Sequence, residues 1–152
     1  IMVLGYSRDY FLEFTEDSMF DTLIGCHERA FKYFGGVPES ILYDNMKTAE
    51  AHLHKSGIDK WNQRFLRFAD HHNLTTVRNR PYRPRSVGKV ERGVKYARGS
   101  FWPRIKSFID LVDLNEKALI WLDTKCNTRL HQTTRRIPKE ARLEERLQPM
   151  NI

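Results

Sequence analysis

Apolar residues recur at helical spacing in five stretches of the chain. The clearest runs from Met19 to Phe34, where apolar positions follow the 3.6-residue period. Ser18-x-x-Asp21 has the pattern of a capping box at its start, and Gly35-Gly36 ends it. Similar patterns predict four further helices, over Asp59–His72, Val87–Phe101, Leu114–Leu130 and Pro138–Leu147.

Short β-prone runs alternate with these helices. Ile1–Ser7 and Tyr10–Thr15 flank turn-prone residues and predict an antiparallel hairpin. Ser40–Tyr43 is short and apolar, which predicts a buried parallel strand, and Thr75–Val77 predicts another strand. The polar run Ala49–Gly57 has no period and predicts a loop. Strands that alternate with helices after an opening hairpin favour a mixed α/β sheet with helices on its faces.

Charge is distributed unevenly along the 152 residues. The sequence pI is about 9.6 and the formal net charge is +7. Between Arg78 and Arg104 the chain holds nine Lys or Arg residues and a single acid, Glu91, whereas the rest is close to neutral. Such a concentration of positive charge favours an acidic partner, most simply nucleic acid, and the alternative is an inert basic surface.

The remaining composition places the protein in a reducing, aqueous compartment. Cys26 and Cys126 are far apart and lack metal-binding or redox spacing, so we expect reduced thiols in a cytosolic protein. No apolar run approaches the length of about 20 residues that a membrane span needs. The sequence has no glycine-rich phosphate loop, and its histidines lack zinc-site spacing, so no nucleotide cofactor or zinc ion is predicted.

Two carboxylates are candidates for chemistry. Asp44 follows a predicted buried strand, and sites in open α/β sheets lie beyond the carboxyl ends of strands. The alternative for Asp44 is a residue that caps the next turn. Glu91 lies one step from the apolar stripe of its helix, which places it at the edge of the core. The alternative for Glu91 is an exposed acid paired with Arg92 or Lys95.

The helix that carries Glu91 also predicts a basic face. Lys95, Arg98 and Trp102 follow Glu91 at intervals of four, seven and eleven residues and therefore share one side of the helix. A basic and partly aromatic segment that includes Tyr82, Arg83, Arg85 and Lys89 leads into it. A metal-binding acid followed by cations suits phosphodiester chemistry, and the alternative is a solvated basic face.

Several motifs together resemble the catalytic core of IstA-type insertion-sequence transposases. They are Leu4-Gly5-Tyr6-Ser7-Arg8, Ala30-Phe31-x-Tyr33-Phe34-Gly35-Gly36-Val37-Pro38, Ile41-Leu42-Tyr43-Asp44-Asn45-Met46-Lys47, Arg83-Pro84-x-x-x-Gly88-Lys89-Val90-Glu91-Arg92 and Asn127-x-Arg129-x-His131-x-Thr133-Thr134. The resemblance spans nearly the whole chain. This family belongs to the retroviral-integrase superfamily, so the resemblance implies a ribonuclease-H-like α/β fold.

The resemblance also implies the chemistry of a DDE polynucleotidyl transferase. In that superfamily two Asp and one Glu hold two Mg²⁺ or Mn²⁺ ions. With these ions bound, the enzyme cleaves DNA at transposon ends and joins it to target DNA. Asp44 matches the second Asp and Glu91 matches the Glu. The cations expected to contact DNA are Lys47, Arg83, Arg85, Lys89, Arg92, Lys95 and Arg98. The family further implies a homo-oligomer and a helper ATPase of the IstB type.

The first Asp of the family lies on a strand before the Leu4–Arg8 motif, and this sequence begins inside that hairpin. We therefore expect an N-terminally truncated core at 1–110, with a helical extension at 111–152. Such a piece is expected to be inactive alone, and its sheet is expected to stay open where the strand belongs. The alternatives are a module that binds DNA without chemistry and a module that self-associates.

Overall fold

A computed structural model of the chain describes residues 1–43, 50–51, 60–78 and 88–152. In chain order the helices are α1 (Phe20–Phe34), α2 (Gln63–His71), α3 (Gly88–Ser100), α4 (Leu111–Trp121) and α5 (Pro138–Ala141). The strands are β1 (Met2–Val3), β2 (Tyr10–Phe11), β3 (Val37–Pro38), β4 (Ser40–Tyr43), β5 (Glu50–Ala51), β6 (Lys60–Trp61), β7 (Thr75–Arg78) and β8 (Leu147–Gln148).

The residues form two compact units. The first unit comprises Ile1–Glu16 and Gly88–Glu145, and the second comprises Asp17–Val87 and Arg146–Ile152. The first unit thus holds the opening hairpin with α3, α4 and α5. The second holds α1, α2 and the parallel strands. The predicted boundary between a core at 1–110 and an extension at 111–152 stays a prediction.

Strands pair two by two. β1 and β2 are antiparallel, with Met2 opposite Phe11 and Val3 opposite Tyr10, as the predicted hairpin requires. β4 and β7 are parallel along their whole length, which confirms the parallel strand predicted at 40–43. β3 pairs with β8 and β5 with β6, both antiparallel. Within the described ranges no sheet has more than two strands.

The second unit is built around aromatic side chains. Tyr43 and Phe65 are buried, and they pack against Phe20, Leu23, Ile24, Ile41 and Phe68. Tyr43 is the one buried residue of β4, so this strand is less buried than its apolar sequence predicted. α1 ends at Gly35, whose φ of 83° is the left-handed conformation that glycine favours, as the sequence indicated.

Both helix starts in the second unit differ from prediction. The capping box at Ser18 is wrong, because the residue that precedes α1 is Met19, which makes no capping bond through its side chain. The Asp17 carboxylate instead accepts the Met19 N–H at 2.8 Å. α2 begins four residues later than predicted. Asn62 caps it by accepting the Arg64 N–H at 2.8 Å, and Trp61 belongs to β6 rather than to the helix.

Two further elements differ from their predicted form. Glu50–Ala51 pairs with Lys60–Trp61, so part of the loop predicted at 49–57 forms a strand. The segment 138–147 is helical only as α5 and a short 3₁₀ turn at Arg142–Glu144, and Leu147 lies in β8.

The first unit has its own core. Phe101, Leu114, Ala118, Trp121 and Leu122 are buried, which confirms the apolar stripes predicted for these helices. α4 begins earlier than predicted because Asp110 caps it, accepting the Asp113 N–H at 2.8 Å. After Trp121 the helix widens into a π turn, Leu122–Cys126, and so ends before the predicted limit at 130.

Two compositional predictions can be compared with this structure. Neither Cys26 nor Cys126 takes part in a disulfide among the described residues, and Cys126 is buried. Among the described residues, no helix has both the length and the apolar character that a membrane span requires.

Candidate functional site

Glu91 lies in the first turn of α3. Its side chain is exposed, rather than at the edge of the core as the sequence suggested, and the buried residue nearby is Gly93. An acid in the first helical turn is favoured by the partial positive charge of the helix N-terminus. Lys95 and Arg98 are exposed on the same helix. The face that combines one carboxylate with cations is therefore open to solvent, and its role in DNA contact stays a prediction.

The other carboxylate, Asp44, lies outside the described residues, as do Lys47, Arg83 and Arg85. The residue before Asp44 is nevertheless well fixed. Tyr43 is the last residue of β4, and its hydroxyl lies 2.9 Å from Nε2 of His27, while Nδ1 of His27 lies 2.7 Å from the Leu23 carbonyl. Burial raises the pKa of Tyr43 well above its ordinary value. Asp44 therefore directly follows the anchored end of a parallel strand.

The described residues do not by themselves form a metal site. Among them, no three His, Cys, Asp or Glu side chains come together closely enough to hold an ion. Glu91 is the one predicted ligand that the structure describes. A metal site at this position would therefore require Asp44 and any further carboxylate from outside the described ranges.

A cation cluster lies beside the N-terminal turn of α3, and we define it as Arg8, Lys89, Arg92, Arg129 and His131. Within it, the Gly5 carbonyl accepts Nη1 of Arg8 at 2.6 Å and Nζ of Lys89 at 3.2 Å. Burial and the neighbouring Arg8 lower the pKa of Lys89, and Glu145 opposes that shift. Two cations held at one carbonyl repel each other, so the arrangement favours binding of an anion.

The pKa of His131 also reflects the positive charge of the cluster. Its pKa is lowered by burial and by the charges of Arg129, Arg8 and Arg92. Arg129 is held by two aromatic rings, with its guanidinium 4.0 Å from the Tyr96 centroid and 5.2 Å from that of Tyr10. Cation–π contacts of this kind are worth about 0.5–2 kcal/mol each, which helps to hold the side chain in place.

The hairpin turn that carries Arg8 is fixed by Glu145. One oxygen of this carboxylate accepts the Ser7 N–H at 2.8 Å, the Ser7 hydroxyl at 2.9 Å and the Tyr6 N–H at 3.2 Å. These three bonds tie this oxygen of Glu145 to the hairpin turn. The negative charge of Glu145 therefore offsets part of the positive charge of the cluster. Among the described residues, Glu145 forms no direct ion pair with a cation of the cluster.

Sequence reasoning found Lys89 and Arg92 but did not select Arg8, Arg129 or His131. Each of these three lies in a motif on which the family resemblance rests, and that was the available signal. Their convergence was not predictable, because residues 8, 89 and 129 meet only after the hairpin packs against α3 and the turn that follows α4.

Comparison with known protein families gives a match over the first part of the chain. The model of a family described as the integrase core domain matches residues 1–84, which is more than half of the chain. The chain belongs to the integrase core domain family. The match ends before Glu91, so it neither includes nor excludes that residue as part of the site.

Transposases are among the relatives of this integrase core. A putative transposase for insertion sequence element IS5376 from Geobacillus stearothermophilus is 39% identical over all 152 residues, which cover 38% of that protein. A transposase for insertion sequence element IS21 from Pseudomonas aeruginosa is 33% identical over 156 aligned residues, which cover 99% of this chain and 39% of the relative. The chain thus spans about two fifths of these relatives.

A solved structure shares the fold. A chain in the cryoEM structure of the simian T-cell lymphotropic virus intasome in complex with PP2A regulatory subunit B56 gamma matches with a TM-score of 0.65. The match covers 97% of this chain and 49% of that one at 18% identity, which is a likeness of fold alone. It confirms the ribonuclease-H-like α/β fold class predicted from the sequence.

Proposed function

We propose that this chain is the catalytic-core part of an insertion-sequence transposase, which cleaves DNA at transposon ends and joins it to target DNA. The observation that carries the proposal is Glu91, an exposed acid on a basic face of α3, in an integrase core related to transposases. A single carboxylate among cations is suited to phosphodiester chemistry on a polyanion, whereas a purely solvated face would not need it.

In this proposal Asp44 and Glu91 are catalytic residues and ligands of Mg²⁺ or Mn²⁺. Bound divalent ions would activate a nucleophile and neutralise charge on the phosphate. The described residues alone do not complete such a site. The chain's own described contribution is therefore the placement of Glu91 at a helix N-terminus, open to solvent and next to exposed cations.

Contact with the DNA backbone is assigned to cations on and around α3. Four of these cations are exposed on α3, which supports their assignment: Lys89, Arg92, Lys95 and Arg98. Lys47, Arg83 and Arg85 are proposed from the sequence. The cation cluster adds Arg8 and Arg129, which converge with Lys89 and Arg92 near the hairpin turn. Contacts of this kind position DNA without reading its sequence.

The proposed partners follow from the family resemblance. We expect binding to transposon ends and target DNA, assembly with further copies of the chain, and cooperation with an IstB-type helper ATPase. The bacterial relatives support action in the bacterial cytoplasm.

The proposal is tested by cleavage of labelled duplex DNA that carries a transposon end. The assay uses a longer chain that contains this sequence, with Mg²⁺, Mn²⁺ or a chelator. Cleavage that requires the divalent ion supports the proposal. A chain that binds this DNA tightly but never cleaves it, with either ion, would favour a binding module instead.

One observation favours a second candidate, a self-association module. Val112, Leu119 and Ile120 lie on one side of α4, beside the exposed Glu116, and are 66%, 40% and 62% exposed. Exposed apolar faces of this kind often mark contacts between proteins. Association that depends on protein concentration and is weakened by Ile120→Asp, without any effect on DNA cleavage, would assign this face to assembly.

A further inference from the structure

A cavity of about 540 Å³ opens near the C-terminal part of α3, within the first unit. Its lining residues include Ile1, Phe14, Val94, Arg98, Phe101 and Trp102. The volume lies within the range of about 300–1,000 Å³ that is usual for ligand sites. Neither Glu91 nor any residue of the cation cluster is among the described lining residues.

Three aromatic rings give the cavity its shape. Phe101 is buried, whereas Trp102 is 51% exposed, so the cavity has an aromatic floor and an aromatic wall open to solvent. The Phe14 ring lies 5.7 Å from that of Phe101 and 5.8 Å from that of Trp102. Flat apolar walls of this kind suit a planar aromatic ligand.

The Phe14 wall of the cavity is held in place through hydrogen bonds to the Phe14 backbone. Oδ1 of Asn115 accepts the Phe14 N–H at 2.7 Å, and its Nδ2 donates to the Phe14 carbonyl at 2.9 Å. Phe101 is in turn packed against Trp121, with ring centroids 5.5 Å apart. The cavity therefore needs little rearrangement to receive a ligand, which lowers the cost of binding.

Arg98 is the one charged residue in the lining. It is exposed, and no ion pair holds it within the described part of the chain. A cation beside stacked rings matches a ligand that joins an aromatic base to a phosphate. Base stacking on aromatic side chains next to a basic groove is how proteins hold single-stranded nucleic acid.

The position of the cavity along α3 also favours a strand of nucleic acid as the ligand. Arg98 lies seven residues after Glu91, which is about 10 Å along the helix axis. That distance corresponds to about three nucleotides at the 3.4 Å spacing of one strand in B-form DNA. A strand that is cleaved near Glu91 would thus pass Arg98 and reach Trp102.

We propose that this cavity takes an unpaired base of a DNA strand that runs along α3, with the base stacked on Trp102 and a flanking phosphate on Arg98. The inference rests on the proposed function, because it requires DNA on this face. A base within a duplex cannot enter such a cavity. The ligand is therefore a base in an overhang or one unstacked at a frayed end, where unpairing costs least.

The test compares a blunt DNA duplex with one that carries a short single-stranded overhang, both titrated with this chain. We expect the overhang duplex to bind about 5- to 100-fold more tightly. Trp102→Ala should remove that preference and Trp102→Phe should largely keep it. Leu143→Ala is the matched control, because Leu143 is an exposed apolar residue outside the cavity.

A second readout locates the base. A fluorescent adenine analogue at successive overhang positions should be quenched at one position, and the Trp102→Ala variant should not quench it. Circular dichroism confirms that each variant is folded, which we expect because Trp102 is half exposed. An abasic site at the quenched position should weaken wild-type binding as much as Trp102→Ala does.

The outcomes separate this inference from the proposed function. Equal, salt-dependent affinity for both duplexes overturns the base pocket and leaves the proposed function standing. Failure to bind either duplex overturns both. Loss of self-association in Trp102→Ala, with no overhang preference in the wild type, would assign the cavity to a second copy and would also overturn the inference.

Discussion

The side-chain amide of Asn127 pairs with both backbone polar groups of Tyr10. Its Oδ1 accepts the Tyr10 N–H at 2.9 Å, and its Nδ2 donates to the Tyr10 carbonyl at 2.8 Å. Asn115 makes the same two bonds with Phe14. Two asparagines from the C-terminal half thus take the place of a neighbouring strand along the segment 10–14, whose polar groups would otherwise be open to pairing with another chain.

The first prediction concerns this pairing. Asn127→Asp keeps the acceptor for the Tyr10 N–H but places a second oxygen against the Tyr10 carbonyl in a fully buried position. We expect the unfolding free energy to fall by about 1–3 kcal/mol or more, because a buried polar group is left without its partner. Urea unfolding measures it. Asn115→Asp, in a half-exposed position, is the matched control and should cost less; equal costs would contradict the interpretation.

The second prediction concerns Asp9. This side chain is buried and forms an ion pair with Arg142 at 2.7 Å. Burial raises the pKa of Asp9 to about 6, and Arg142 offsets only part of that shift. Because the folded protein binds this proton more tightly than the unfolded chain does, stability from Asp9 is present at low pH and is lost as the pH rises from about 4 to 6.

Asp9→Asn removes this titration. The stability of wild type minus that of the variant should fall by on the order of 2–3 kcal/mol between pH 4 and 6. Urea unfolding at several pH values measures the difference, in which contributions from the histidines cancel. Asp113→Asn, at a carboxylate whose pKa is lowered by Lys117, should leave the fall in place. A difference that stays constant, or grows with pH, would show that Asp9 is not destabilised by burial.

The third prediction uses His131 as a reporter of the cation cluster. Burial and the charges of Arg129, Arg8 and Arg92 lower its pKa from the ordinary value of 6.5. A DNA phosphate bound at the cluster would offset those positive charges, so the pKa of His131 should rise when duplex DNA is added. NMR titration of the histidine ring protons measures it, with His131→Gln to assign the signal. A pKa that does not respond to saturating DNA would place DNA elsewhere.

The fourth prediction concerns the basic face of α3. Removing one cation that binds a phosphate should make the slope of log K against log salt shallower by about 0.9. Lys95→Ala and Arg98→Ala should each show this change in binding to blunt duplex DNA. Lys117→Ala is the control, because Lys117 is already paired with Asp113 at 2.9 Å. Slopes unchanged in both α3 variants would show that this face does not bind DNA.

Local sequence patterns predicted much of the fold. The stripes of α1, α3 and α4, the opening hairpin and the parallel strand before Asp44 all follow from short-range spacing. The start of α2 was missed because Trp61 fits a helical period although it lies in a strand, and Asn62 is the residue that caps the helix. Periodicity alone does not distinguish these two outcomes.

The site was predicted less completely, for a different physical reason. Glu91, Lys95 and Arg98 lie on one helix, so their spacing in the sequence was sufficient to predict that they share it. The cation cluster and the asparagine pairs join residues that are far apart in sequence, such as 10 with 127 and 14 with 115. Contacts of this kind depend on how the elements pack, and no local pattern in one sequence reports them.

The central claim is that Glu91 is a catalytic carboxylate rather than a surface acid. It is tested most directly by divalent-ion-dependent cleavage of a transposon-end duplex, with Glu91→Gln in a longer chain that contains this sequence. Glu116→Gln, another exposed acid on a helix, is the matched control. We predict that Glu91→Gln lowers the cleavage rate by more than about 100-fold, since altering the outer-shell partners of metal ligands alone typically costs 10–100-fold. DNA affinity should be kept. Cleavage by Glu91→Gln at the rate of Glu116→Gln would contradict the claim.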